Sequence, residues 1–123
     1  MLTNVGRFLT EGILPSGAAK YECHKDTPDV LYYAAAAGSA LLDADRMGLG
    51  DYREIGERAI SYVLKHQLPN GNFSFFSRKN YGMLADKRSY PSSLSMILNH
   101  LLRVAYPHEH LAQTPSTTEK VYA

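Results

Sequence analysis

The sequence holds a single cysteine, Cys23. One thiol closes no intrachain disulfide and leaves no Cys-based zinc site. Charge of neither sign predominates: 13 Lys and Arg stand against 12 Asp and Glu, a formal net charge of +1. That near-balance argues against a polyanion binder, so no nucleic-acid partner is expected. Long apolar runs are missing, and the first residues show no charged region followed by an apolar core. Neither a membrane span nor a signal peptide is therefore expected, and the expected location is cytoplasmic; an upstream segment would change that. No glycine-rich phosphate loop is present, and no cofactor or metal is expected. Long alternation of apolar and polar residues is also missing, which argues against a sheet.

What remains is globular and helical. Hydrophobic residues make up 45% and aromatics 11% of 123 residues, which suits one folded domain with an ordinary core. Four amphipathic segments stand out. The first runs from about Leu2 to Leu14, with Val5, Phe8, Leu9 and Ile13 at helical spacing. The second starts at Thr27-Pro28-Asp29, a cap, a first-turn proline and an acid for the positive end of the dipole. It passes through Tyr33, Ala37, Ala40 and Leu41 to about Met47, where Gly48 and Gly50 stop it. The third begins at Asp51, with Asp51 and Glu54 as a capping-box variant, and ends near Leu68 before Pro69. Ile55, Ala59, Tyr62, Val63 and His66 line one of its faces. The fourth begins around Tyr90-Pro91 and carries Leu94, Ile97, Leu98, Leu101 and Leu102. Phe73 to Phe76 reads as a loop laid over the core, with a short hairpin beside the Asn70-Gly71 turn as the alternative, and the polar tail from His108 to Ala123 is expected to be mobile.

The segments form a repeat. Leu14-Pro15-Ser16-Gly17 ends the first helix and Leu68-Pro69-Asn70-Gly71 ends the third, 54 residues later. Ala40-Leu41-Leu42 and His100-Leu101-Leu102 match at an offset of 60. The unit is helix, Pro/Gly turn, aromatic-bearing loop, helix, with hairpins expected over 1–48 and 51–106. One helical hairpin cannot bury its apolar face alone, so such units stack side by side.

Arg58-Ala59-x-x-Tyr62-Val63-x-x-x-Gln67-x-x-x-Gly71-x-Phe73 resembles the QW-type repeat of terpenoid cyclases, with Phe73 where that family usually has Trp. Similar turns occur in other α/α toroids, including protein prenyltransferases and six-hairpin glycosidase-like proteins. The first copy departs from the pattern, with Ile13 for the Gln and Ala19 for the aromatic. The motif is structural: Gln67 bonds helix-end or loop groups, Gly71 takes positive φ, and Phe73 covers the hairpin. The stretch from Tyr81 through Pro91 to Leu102 resembles the C-terminal part of α/α-toroid proteins encoded among bacterial and archaeal polysaccharide-biosynthesis genes. The resemblance covers roughly residues 1–106. It implies an all-α chain, two hairpins of a larger (α/α)6 fold, and a carbohydrate ligand.

Candidate chemistry is sparse. Asp43-Ala44-Asp45 points to different faces of one helix, so it reads as a solvated helix end and not as a cyclase acid. Inverting glycosidases need two carboxyls roughly 6.5–9.5 Å apart, and the loop candidates are Glu22, Asp26 and Asp86. Asp86 is an acid candidate or the ion-pair partner of Arg88; Arg88 and Tyr90, with Glu22 and Asp26, are substrate-contact candidates. His24, His108 and His110 read as surface histidines. His66 and His100 sit beside apolar helix positions and read as packed residues with a backbone bond. Cys23 beside His24 is a poor nucleophile, because adjacent side chains rarely meet. Tyr21, Tyr32, Tyr33, Phe75, Phe76, Tyr81 and Tyr90 offer an aromatic surface, suited to sugars or to covering a core.

Three functions compete at this level. The first is a toroid fragment acting in polysaccharide biosynthesis or processing, inactive alone, with a site drawn from loops 20–26 and 72–90. The second is a non-enzymatic helical module that self-associates through an open hairpin edge. The third, isoprenoid chemistry, has only the QW-like turn in its favour. Two repeats in 123 residues suit about a third of a closed toroid.

Overall fold

The structure, a computed structural model, describes residues 2–20, 29–74 and 91–107. The fold is all-α. Its helices are α1 (Leu2–Glu11), α2 (Leu31–Arg46), α3 (Arg53–Lys65) and α4 (Pro91–Ala105). Among the described residues the only extended pairing is two isolated bridges, Ile13 with Ala19 and Gln67 with Phe73.

α2 is the central helix. It packs most extensively on α3, then on α4, and least on α1. Leu31, Ala34, Ala35 and Leu41 are fully buried along it. Around them gather Ile13, Ala18 and Ala19 from the first turn, Ala59, Tyr62 and Val63 from α3, Phe73, and Ile97 from α4. Each large apolar side chain so buried stabilises the fold by about 1.5–3 kcal/mol. The α2–α3 crossing is close because Gly38 faces it. A Cβ there would lie 3.0 Å from the Ala59 Cβ and 3.1 Å from the Ile60 side chain.

Helix boundaries follow tertiary bonds more than local caps. α2 starts at Leu31 behind extended Val30, three residues beyond the expected Pro28 start. Asp29 is buried and accepts a hydrogen bond from the Tyr62 Oη at 3.0 Å, so its carboxylate ties α2 to α3. Asp51 does not cap α3 either. The helix begins after Tyr52, whose N–H donates to Asp45 Oδ1 at 3.0 Å. α2 does end as expected: Leu49 N–H donates to Ala44 O and Gly48 N–H to Asp45 O, with Gly48 at φ +76°, a Schellman closure.

The turns after α1 and α3 are the same structure 54 residues apart. Leu14 N–H donates to Ala18 O at 2.8 Å, and Leu68 N–H to Asn72 O at 2.7 Å. Gly17 N–H reaches Leu14 O at 2.9 Å, and Gly71 N–H reaches Leu68 O at 2.8 Å. Ser16 Oγ accepts from Ala18 N–H as Asn70 Oδ1 accepts from Asn72 N–H. Gly17 sits at φ +99° and Gly71 at φ +90°, the left-handed region that glycine enters without strain.

Candidate functional site

A groove of about 610 Å³ lies between α1 and α2. Phe8 and Leu9 of α1, with Gly12 just after it, form one wall, and Tyr33, Ala36, Ala37 and Ala40 form the α2 wall. Ile13 and Ala19 lie at its end, with Glu11 and Lys20 its charged lining residues. The alanine run therefore does two jobs. Ala34 and Ala35 are fully buried, while Ala36, Ala37 and Ala40 are too small to fill the space beside α1. One carboxylate and one ammonium lining an apolar floor make no acid–base pair of the glycosidase kind. The groove suits an apolar side chain.

The polar groups that do meet are structural ties. Asp43 accepts from Arg46 on its own helix and from Arg103 of α4 at 2.8 Å. Asp45 accepts from the Tyr52 N–H. These two acids were expected to be a solvated helix end; they instead hold α2 to α4 and α3. Ser39 Oγ, buried on α2, lies 3.2 Å from His100 Nδ1 on α4. His100 thus bonds a side chain of another helix, not backbone. Burial lowers its pKa below the ordinary histidine value, and the Arg103 charge adds to this. Its Nε2 is buried with no partner among the described residues. His66 Nδ1 lies 2.8 Å from Tyr62 O, and its ring is tilted against the Tyr62 ring at 4.3 Å.

Gln67 Nε2 donates to Gly71 O at 2.8 Å across the second turn, and Phe73 is buried in the core. Of the other sequence candidates, Asp86, Arg88, Tyr90, Glu22 and Asp26 lie outside the described residues. So do Cys23, His24, His108 and His110, and the aromatics Tyr21, Phe75, Phe76 and Tyr81. Among the described residues no group of three or more His, Cys, Asp or Glu stands together to hold a metal ion. No helix among them is long and apolar enough to cross a membrane.

The chain matches no protein-family model, no curated protein and no solved structure.

The remaining candidate is apolar surface. Val5 and Phe8 on α1 are 52% and 61% exposed, and Leu98 and Leu102 on α4 are 58% and 48% exposed. All four lie on the amphipathic segments that the helical spacing marks. Periodicity identified the apolar stripes correctly but not the number of neighbours each stripe has.

Proposed function

We propose that this chain is a hairpin-stacking module of α/α-toroid type, whose work is to dock further helices on its two terminal helices. The observation that carries the reading is the pair of open apolar stripes, Val5 with Phe8 on α1 and Leu98 with Leu102 on α4. Stacked helical repeats leave such stripes wherever a neighbouring unit is missing. The reading assigns no catalysis to the chain.

A peptide spanning α2, the helix that already packs on α3, provides a direct test. Labelled and titrated with the chain, it should bind saturably, and Val5→Asp with Phe8→Asp should abolish binding. A peptide that shows no saturable binding would sink the reading.

A second reading, a carbohydrate-binding segment of a polysaccharide-biosynthesis protein, rests on the resemblance of residues 81–102. It gives Asp86 the role of acid and Arg88, Tyr90, Glu22 and Asp26 the role of sugar contacts. Two rings beside the groove, Phe8 and Tyr33, favour it as stacking surfaces. Calorimetric titration with oligosaccharides tests it: heat that Tyr33→Ala removes supports sugar binding, and no heat from any sugar ends it.

A further inference from the structure

Two repeat offsets allow each open surface to be compared with its closed counterpart in the same molecule. α1 corresponds to α3 at 54 residues, and α2 to α4 at 60. Val5 is then the counterpart of Ala59, and Phe8 of Tyr62. Ala59 is 0% exposed and Tyr62 is 8% exposed, because α2 and the first turn cover them. The same stripe on α1 lies open.

The other half of the interface behaves alike. Gly17 packs on α3, where a Cβ would meet Arg58 O at 2.4 Å and the Tyr62 Cβ at 2.8 Å. Its counterpart Gly71 is exposed, and a Cβ there would meet only the Gln67 Nε2, at 3.9 Å. Gly38 packs on Ala59 and Ile60, and its counterpart is exposed Leu98. α2 lies against both α3 and α4. The equivalent seat, against both α1 and α2, is the groove. Buried Ile97 of α4 even maps onto Ala37 of the groove wall.

We infer that the occupant of this groove is α4 of a second copy of the chain, docked in the register by which α2 docks on α3 and α4. The inference rests on the stacking reading above and names its partner. Charge complementarity supports a second copy. The Asp43–Arg103 pair maps onto Arg103 of the neighbour facing Asp43, so opposite signs meet again. The contact is heterologous: each copy offers its α4 to one neighbour and its groove to another, and copies chain into a ring or a filament.

Mixing two blocked variants tests this. Val5→Asp with Phe8→Asp blocks the groove side, and Leu98→Asp with Leu102→Asp blocks the α4 side. By sedimentation velocity the unchanged chain should form species larger than a dimer as concentration rises. Each variant alone should be monomeric, and the mixture should form a heterodimer and nothing larger. A monomeric unchanged chain, a blocked variant that still self-associates, or a mixture that stays monomeric each overturns the inference. The α2-peptide result stands apart from all three, so the stacking reading survives or falls separately. All four sites are about half exposed or more, so circular dichroism should show an unaltered fold. If either double variant fails to fold, Phe8→Ser and Leu98→Ser serve in the same mixing experiment.

Discussion

α1 and α3 end in turns closed by the same backbone bonds, and carry apolar residues at the same register. Yet Tyr62 on α3 is buried while Phe8 on α1 is open. Local sequence makes the two helices alike; the neighbour on one side makes them different. The largest expected effect follows from this contrast. Tyr62→Ala should cost about 3–5 kcal/mol, the range for a buried aromatic. Phe8→Ala in the dilute chain should change stability by no more than about 0.5 kcal/mol. Urea unfolding of both variants reads the difference. Equal losses would mean that α1 is covered after all.

The turns extend the comparison with backbone alone. Gly17→Ala combines strain at φ +99° with a Cβ driven into Arg58 O, and should cost about 2–4 kcal/mol. Gly71→Ala meets the same strain with nothing in the way and should cost about 1 kcal/mol. Thermal melts that rank Gly71 as the worse site would break the equivalence of the two turns.

Tyr62→Phe sharpens the contrast to one hydroxyl. Phe8 is already what Tyr62 would become, so the variant asks what the bond to buried Asp29 adds. A hydrogen bond to a carboxylate contributes about 1.5–3 kcal/mol. A loss well below that range would show Asp29 held mainly by its other contacts.

Much of this architecture was legible in the residues. The Leu-Pro-x-Gly turns, the two offsets and the all-α class follow from glycine's freedom at positive φ and from apolar spacing, which are local properties. The fourth helix begins at Pro91, where a first-turn proline belongs. Cap assignments were less legible, because Asp45 and Asp29 answer to Tyr52 and Tyr62 on another helix. A carboxylate's sequence neighbours do not reveal such partners. The groove was illegible for the same reason. Ala34 and Ala37 look alike in sequence, and what separates them is that, among the described residues, no helix lies over one side. The loop carboxylates and Arg88, which carried the catalytic expectation, lie outside the described residues.

The smallest expected effect concerns the α2–α4 contact, where the internal interface holds a titratable group that the open one lacks. Ser39 meets His100 inside the chain; the corresponding positions, Asn99 and Ala40, hold no ionisable side chain. Protonating His100 would put a second N–H on a partly buried ring whose Nε2 has no acceptor among the described residues, beside the positive Arg103. Its folded pKa is therefore depressed from 6.5 while the unfolded chain keeps the ordinary value. In the window below about 6.5 the unfolded state binds the proton more readily. The contribution to stability is full above that pH and is lost as pH falls through the folded pKa. His100→Gln should flatten this part of the stability profile, and the His100 ring should titrate below 6.5 by NMR. Self-association through the groove should show no matching step in the same window, since no histidine stands at that interface's equivalent position. A His100 midpoint at or above 6.5 would mean that the ring is not held neutral between α2 and α4.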